Sequence, residues 1–169
     1  EMSPYITRAL IDTEDERFYE HGAIDLIGIA RAFVSTLSGR TEGASTITQQ
    51  LARNLFLTQD QTISRKVKEI LISFEIEEQF TKDEILELYL NTVYFGSGAY
   101  GIEAAAQTYL GKSASDLTLA EAAMLVGIPN SPNNYDPSIN PDLCKQRRNI
   151  VLDRMLTAGD ITQEEHDAA

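Results

Sequence analysis

The stretch that decides the fold class is residues 81–92, Thr-Lys-Asp-Glu-Ile-Leu-Glu-Leu-Tyr-Leu-Asn-Thr. It opens with the S/T-x-x-E pattern of a capping box, in which Thr81 and Glu84 satisfy free backbone N–H groups at a helix start. Apolar residues then recur at the spacing of one helical face: Ile85, Leu86, Tyr89 and Leu90. The stretch therefore predicts an amphipathic α-helix that packs one face into a core.

Similar helix signals recur along the chain. Two further capping boxes pair Thr118 with Glu121 and Thr162 with Glu165. Two helix starts combine an N-cap residue with a proline at the first helical position: Ser3-Pro4 and Asn140-Pro141. Glycines that can adopt the left-handed conformation stand where helices are expected to end: Gly39, Gly111, Gly127 and Gly159.

Strand signals are scarce by comparison. Segments 94–101 and 128–137 are rich in glycine and proline and are expected to be loops. A second apolar stripe with helical spacing is expected to be core: Val67, Ile70, Leu71 and Phe74. The sequence predicts a mainly α domain with little or no sheet that occupies residues 1–169.

Size and charge limit the classes of function. A chain of 169 residues fits one domain, and such a domain buries roughly 70% of the surface that its unfolded chain exposes. The net charge of −12 argues against a nucleic-acid binder, which needs a basic surface. The single cysteine, Cys144, allows no internal disulfide.

We expect the chain to be a piece of a longer protein, because it begins without a signal peptide and runs directly into a helix start.

A basic segment interrupts this acidic chain. Residues 40–68 contain five cations against two carboxylates: Arg40, Arg53, Arg65, Lys66 and Lys68 against Glu42 and Asp60. Such a segment suits an anionic ligand, although a solvated helical face would have the same composition.

The preceding apolar stretch, 26–34, is interrupted by Arg31 and is too short to span a membrane, so we expect it to lie on a membrane or to pack in a core.

Three segments contain residues suited to chemistry. In 13–21, Glu14 and Asp15 precede aromatic residues and His21, an arrangement typical of proton carriers or of an acidic helix end. In 43–54, hydroxyl residues precede a helix whose free N–H groups could attract an anion, or only cap it. In 65–69, Glu69 follows Arg65 by four residues, as in a solvated ion pair. No ligand spacing for a metal occurs.

Taken in order, these segments and two later ones resemble the five motifs of glycosyltransferase family 51. The motifs are Glu14-Asp15 with Phe18 and His21; Gly43 with 45–50; Arg65-Lys66 with Glu69; Lys82 with Ile85-Leu86-Glu87 and Tyr89-Leu90-Asn91; and Arg148 with Val151-Leu152. The family comprises the transglycosylase domains of class A penicillin-binding proteins and the monofunctional peptidoglycan glycosyltransferases. The resemblance covers nearly the whole chain.

The resemblance implies a lysozyme-like helical fold and an inverting reaction that joins lipid II units into β-1,4-linked glycan with polyprenyl pyrophosphate as leaving group. Glu14 would be the base that deprotonates the acceptor hydroxyl, and Glu69 would assist departure of the pyrophosphate. The matching substrate-binding positions are Ser45, Gln49, Gln50, Arg53, Asn54, Arg65 and Lys66. Glu69 would either hold these cations or ligate a divalent metal, Mg or Mn, although the sequence requires no cofactor.

The resemblance also implies partners and a location. The partners are lipid II, the growing lipid-linked glycan and the membrane surface, and the full-length protein would carry a transpeptidase domain. A preceding membrane anchor, missing from this chain, would hold the enzyme on the outer face of the bacterial cytoplasmic membrane. The segment containing Leu26, Ile27, Ile29, Phe33 and Val34 would dip into lipid.

Three positions depart from the family pattern. Gly22 directly follows His21 where the family usually has His-x-Gly, Arg53 replaces a common lysine, and Gln61 replaces an arginine of the cationic group. Two alternatives stay open. A lysozyme-like hydrolase would also use a glutamate but would need no basic pyrophosphate site. A non-catalytic helical interaction module would explain the caps and core stripes but would leave Glu14, Gln49, Gln50 and Glu69 as coincidences.

Overall fold

The structure, a computed structural model, describes residues 2–39, 43–56 and 62–169. The basic-segment residues Arg40, Glu42 and Asp60, and also Gln61, lie outside these ranges. The helices that the described residues form are α1 (Pro4–Glu14), α2 (Leu26–Leu37), α3 (Ile47–Phe56), α4 (Ile63–Gln79), α5 (Lys82–Thr92), α6 (Ile102–Leu110), α7 (Leu119–Gly127), α8 (Pro132–Tyr135), α9 (Pro141–Ala158) and α10 (Gln163–Ala168).

The chain divides into two compact units. The terminal unit combines Glu1–Glu16 with Leu90–Ala169, and the central unit is Arg17–Tyr89. An isolated bridge between Tyr94 and Tyr100 is the β pairing found among the described residues. The predicted mainly α fold is confirmed. That residues 1–169 form one glycosyltransferase domain stays a prediction.

In the terminal unit, α1 packs against α7 and α9, and α7 packs against α9. The core of this unit consists of fully buried apolar side chains that include Ile6, Leu10, Leu125, Val151 and Met155. A 3₁₀ turn, Ala114–Asp116, packs against α6. This packing supports the C-terminal end of α1, where Glu14 lies.

In the central unit, α3 packs against α4, and residues 82–89 of α5 belong to the same unit. Its buried apolar residues include Phe18, Ile47, Leu51, Ile76 and Ile85. The five sequence-predicted residues at 45, 49, 50, 53 and 54 lie on α3 or just before it, and those at 65, 66 and 69 lie on α4. The α3–α4 pair thus positions most of the predicted binding residues.

The predicted helix starts are confirmed. In all three capping boxes, the threonine backbone N–H donates to the glutamate carboxylate, at 2.8 Å for Thr81, 2.9 Å for Thr118 and 2.8 Å for Thr162. Ser3 and Asn140 precede α1 and α9 without a side-chain capping bond. The hydroxyl of the buried Ser3 instead donates to Leu117 O at 3.0 Å. This hydrogen bond ties the start of α1 to a neighbouring loop.

The predicted core stripe on α4 is wrong. Val67 is 52% exposed, Leu71 60% and Phe74 47%, and the residues that α4 buries are Glu69, Ser73 and Ile76. The reason is that α4 turns its more polar face towards α3, where the Glu69 carboxylate pairs with a cation of that helix. The apolar face of α4 is consequently on the surface of the protein.

Two further predictions need correction, one about a loop and one about the end of a helix. Segment 94–101 is free of helix, but segment 128–137 contains a 3₁₀ turn, Ile128–Asn130, and the short helix α8. Gly127 has φ −70°, which is right-handed, because the chain continues directly from α7 into that turn. The expected left-handed conformation is confirmed at Gly39, Gly111 and Gly159.

Helix α2 lies on the surface and has no buried residue. Its exposed apolar side chains are Leu26, Ile27, Ile29, Phe33, Val34 and Leu37. No helix among the described residues is both long and apolar enough to cross a membrane.

Candidate active site

The buried carboxylate of Glu69 is the centre of the predicted binding residues in the central unit. Its side chain is only 1% exposed, and its two oxygens pair with different cations. Lys66 Nζ lies 2.7 Å from Oε1, and Arg53 Nε lies 3.5 Å from Oε2. The expectation of a solvated ion pair is therefore wrong, because α4 buries this residue against α3.

Lys66 extends this group to the start of α3. Its Nζ donates to the Ser45 hydroxyl at 2.9 Å as well as to Glu69. We refer to Ser45, Arg53, Lys66 and Glu69 as the α3–α4 cluster. Lys66 and Arg53 are partly exposed, at 46% and 39%, so both cations of the cluster can reach a ligand while their common carboxylate stays buried.

The first turn of α3 is fixed by a reciprocal cap. The Thr46 N–H donates to Gln49 Oε1 at 2.8 Å, and the Gln49 N–H donates to the Thr46 hydroxyl at 3.1 Å. The Thr46 hydroxyl also donates to Ala23 O at 2.8 Å. Because Gln49 is buried and takes part in this cap, its place in the structure is that of a residue that holds α3 in position.

The side-chain amide of Gln50 forms hydrogen bonds with two groups from other parts of the central unit. Its Nε2 donates to Ser45 O at 3.5 Å, and its Oε1 accepts from the Tyr89 hydroxyl at 3.3 Å. Tyr89 belongs to the fourth motif and to the predicted core stripe of α5, and it is indeed buried. Its hydroxyl additionally orients one of the predicted binding residues, which the apolar spacing of α5 does not indicate.

Glu14 lies at the last residue of α1 in the terminal unit and contacts an arginine of α9. Arg147 Nη2 lies 3.2 Å from Glu14 Oε1, and both side chains are 14% exposed. Arg147 Nε also donates to Gly127 O at 3.3 Å, and its guanidinium lies 5.7 Å from the centroid of the Tyr135 ring. These contacts from three elements fix the direction of the Glu14 carboxylate.

Gly127 makes room for this arginine. A Cβ atom at position 127 would lie 2.8 Å from Arg147 Cγ, closer than carbon atoms approach in folded proteins. Arg147 is a candidate site residue that the sequence does not single out. The available signal was its position next to Arg148 in the fifth motif, but the structure places the partly buried Arg148 against Asn149 instead.

The predicted site residues thus fall into two groups. Ser45, Arg53, Lys66 and Glu69 are brought together, and Gln50 contacts Ser45. Asn54 is exposed in the last turn of α3 and Arg65 is half-buried in the first turn of α4. Glu14 belongs to the terminal unit with Arg147.

The geometry is suited to binding an anion next to a fixed carboxylate. Burying the Glu69 charge costs free energy unless nearby cations compensate for it, and here two do. Because the ion pairs hold Lys66 and Arg53 in place before a ligand arrives, the cations need little rearrangement to stabilise negative charge.

The chain is similar to several known proteins. A family model described as Transglycosylase matches residues 1–156. Penicillin-binding protein 1A of Escherichia coli (strain K12) is 51% identical over 169 residues, which is 99% of this chain and 20% of that protein. A Cupriavidus necator protein whose name assigns it to the transglycosylases is 52% identical over 165 residues, or 97% of this chain and 71% of that protein.

A solved structure is also similar. The crystal structure of penicillin-binding protein 1A from Haemophilus influenzae matches with a TM-score of 0.51 and 38% identity, over 73% of this chain and 15% of that chain. The chain spans about a fifth of the Escherichia coli relative. With the family model matching residues 1–156 and half of all positions identical in these relatives, the chain belongs to the transglycosylase family.

Proposed function

We propose that this chain polymerises lipid II, transferring the growing lipid-linked glycan to the 4-hydroxyl of a further lipid-linked disaccharide. The observation that carries the proposal is the α3–α4 cluster, in which two partly exposed cations are held by one buried carboxylate. A polyprenyl pyrophosphate leaving group gains negative charge as its bond to the sugar breaks. Fixed cations stabilise that charge, which a transferase of this type requires.

The bond changes define the task of Glu14. The acceptor's 4-hydroxyl oxygen forms the new bond to the donor's anomeric carbon, and its proton passes to the Glu14 carboxylate. The bond from the anomeric carbon to the pyrophosphate oxygen breaks, and its electron pair leaves with the pyrophosphate. Attack from the face opposite the leaving group inverts the anomeric centre and gives a β-1,4 linkage.

Arg147 acts through Glu14 as a positioning residue. A general base must lie within hydrogen-bonding reach of the proton that it accepts, so its direction matters as much as its basicity. The Arg147 guanidinium contacts the Glu14 carboxylate, the Gly127 carbonyl and the face of Tyr135. A side chain held at three points can orient the carboxylate towards one bound hydroxyl.

The surroundings of Glu69 do not favour a divalent metal at this carboxylate. The residue that the family pattern offers as a ligand is Glu69, and its oxygens contact Lys66 and Arg53. Two cationic neighbours at these distances disfavour a further cation at the same carboxylate. The arrangement instead fits the role in which Glu69 holds the cations that receive the pyrophosphate.

The membrane surface and the rest of the protein complete the proposal. The exposed apolar residues of α2, and separately those of α4, suit contact with lipid, where the polyprenyl chain of the substrate resides. By resemblance, an anchor precedes this chain, a transpeptidase domain follows it, and the site works on the outer face of the cytoplasmic membrane.

Incubation with labelled lipid II tests the proposal. We expect a lipid-linked glycan polymer whose length grows with time. Release of short sugars from preformed glycan, without polymerisation, would instead identify a lysozyme-like hydrolase. Unchanged lipid II from a folded protein would favour the non-catalytic interaction module and contradict the proposal.

A further inference from the structure

Lys82, the first residue of α5, holds its ammonium group against two other segments of the central unit, α4 and residues 17–23. Its Nζ lies 2.7 Å from Glu77 Oε1 near the end of α4 and 3.5 Å from Gly22 O. The same atom lies 4.5 Å from the centroid of the Phe18 ring. The Lys82 side chain is only 20% exposed and that of Glu77 15%, so this is not a lysine that merely solvates a helix start.

The carboxylate that Lys82 contacts also reaches α3. The hydroxyl of the fully buried Thr48 donates to the same Glu77 Oε1 at 2.7 Å. Thr48 directly precedes Gln49 in the first turn of α3. A line of contacts from Lys82 through Glu77 to Thr48 therefore joins α5, α4 and the part of α3 that follows Ser45.

Segment 17–23 is held by the same elements. Lys82 contacts its Gly22 carbonyl and its Phe18 ring, and the Tyr19 hydroxyl donates to Asp83 of α5 at 2.7 Å. At the end of the segment, Ala23 O accepts from the N-cap residue of α3. The segment is thus tied to α5 directly and to α3 through its cap.

Charge alone does not account for this arrangement. A partly buried ion pair contributes little net stability, because removing two charges from water offsets much of their attraction. The feature that an apolar residue could not supply is one compact cation that contacts a carboxylate, a carbonyl oxygen and an aromatic face at once.

We infer that Lys82 is a positioning residue for the transfer reaction, fixing the first turn of α3 against segment 17–23 through its contacts with Glu77, Gly22 and Phe18. The inference rests on the proposed function, since that turn carries Gln49 and Gln50 and adjoins Ser45. Lys82 acts through other groups and is not itself a catalytic residue.

Two variants separate positioning from charge compensation. Lys82→Met keeps a long side chain but leaves the Glu77 carboxylate without its ammonium partner, so we expect a lower melting temperature and slower lipid II polymerisation. Lys82→Met/Glu77→Gln removes the orphaned charge as well. We expect this double variant to regain the melting temperature, while its kcat/KM stays about ten- to a hundredfold below that of the parent.

Matched controls accompany these variants. Lys112 forms a similar ion pair of 2.7 Å with Glu121 in the terminal unit, and we expect Lys112→Met to leave kcat/KM unchanged. Lys82→Arg keeps the charge and the contact with the ring, and we expect it to recover most of the rate. A double variant that polymerises lipid II at the parent rate would overturn the inference, because Lys82 would then only neutralise Glu77.

Amide hydrogen exchange gives a readout that does not depend on activity. We expect residues 17–23 to exchange faster in the double variant than in the parent, although both melt at the same temperature. Unchanged exchange would overturn the positioning role. If the parent itself fails to polymerise lipid II, the proposed function is wrong, and the exchange measurement alone decides the inference about Lys82.

Discussion

The Glu14 carboxylate ends a helix and contacts the guanidinium of Arg147 at 3.2 Å, so two roles are open to it. It could stabilise the terminal unit through this ion pair, or it could take the acceptor's proton. Ion pairs of this kind contribute modestly to stability, whereas loss of a general base slows a reaction by orders of magnitude. The two roles therefore differ in what a neutral replacement would change.

Replacing Glu14 by glutamine keeps its size and hydrogen-bonding capacity but removes its ability to accept a proton at neutral pH. We expect Glu14→Gln to fold, to bind lipid II and to polymerise it about 10²–10⁴-fold more slowly. Glu16→Gln, at an exposed neighbouring position, is the control and should keep the parent rate. A folded Glu14→Gln protein with near-parental turnover would remove Glu14 from the mechanism.

A second carboxyl on α1 makes stability depend on pH. Burial, together with the neighbouring Asp160 carboxylate and Glu16, raises the pKa of Asp12 from 3.8 to about 7, although Arg8 opposes the shift. Its Oδ2 is buried without a hydrogen-bond partner. Because the folded state binds this proton more tightly than the unfolded state, the contribution of Asp12 to stability is greatest below about pH 4 and is lost as the pH rises through 7.

We therefore expect Asp12→Asn to raise the melting temperature at pH 8, by ~2–4 °C for each kcal/mol of unfavourable burial that it removes. The difference between variant and parent should shrink as the pH falls from 7 and should be lost well below 3.8, where Asp12 is protonated in both states. Thermal melts of both proteins across this pH range provide the test. A difference that does not vary with pH would contradict the raised pKa.

At this scale, sequence reasoning identified the residues that belong to motifs and missed those defined by distant contacts. Glu69 could be singled out because it follows Arg65-Lys66 at a family spacing. The contact between Arg147 and Glu14 joins residues 133 positions apart, and no local pattern indicates such a pair. The hydrogen bond from Tyr89 to Gln50 could not be predicted for a similar reason. In the sequence, a tyrosine on an apolar stripe resembles any other core residue.

Among the helices, α4 shows what periodicity can and cannot predict. The spacing of Val67, Leu71 and Phe74 correctly predicts a helix, because a period of 3.6 residues places these side chains on one face. Which face is buried depends on the neighbouring helix. Here α3 carries Arg53, which pairs with Glu69, so the face of α4 that contains Glu69 is the buried one. The capping boxes were more reliable, since the groups that they satisfy lie within the same four residues.

The exposed apolar face of α2 carries a prediction about membranes. Ile29 and Phe33 are exposed, so serine at both positions should leave the melting temperature within a degree or so of the parent. We expect the double variant to bind anionic phospholipid vesicles less tightly and to polymerise vesicle-borne lipid II more slowly. Co-sedimentation with vesicles measures the first effect.

A matched control lies in the terminal unit. Ile139 is exposed to a similar degree, 65% against 67% for Phe33, and Ile139→Ser should leave vesicle binding unchanged. Equal binding by the α2 variant and the parent would show that this helix does not contact lipid.

The junction between α7 and the following 3₁₀ turn gives a prediction about packing. Gly127 has a right-handed φ that alanine adopts readily, so the backbone itself tolerates Gly127→Ala. The new methyl group would lie 2.8 Å from Arg147 Cγ and must displace that side chain. We expect kcat to fall about tenfold or more with a small change in melting temperature, because a displaced Arg147 orients Glu14 poorly. Parent-like kcat would show that this orientation is unimportant.

For the molecule as a whole, the helical character followed from the sequence, but its division into two units did not. Helix starts and ends are local features of the chain. About four consecutive residues are enough to predict each of them. The terminal unit combines residues 1–16 with residues 90–169, which are separated in the sequence by residues 17–89. Such a pairing depends on which buried faces fit together, and many faces in the sequence have equivalent apolar spacing.

The distribution of charge across the chain has a consequence for turnover. The chain carries a net charge of −12, yet two of its cations share one buried carboxylate, so Arg53, Lys66 and Glu69 together sum to +1 rather than +2. Glu69 thus serves as an internal counterion. It lowers the affinity of the two cations for any phosphate, which in the proposed reaction includes the polyprenyl pyrophosphate that must leave before the next cycle. Tight holding of that product would gain nothing for the chemical step, so an acid placed among the basic residues favours release and repeated elongation.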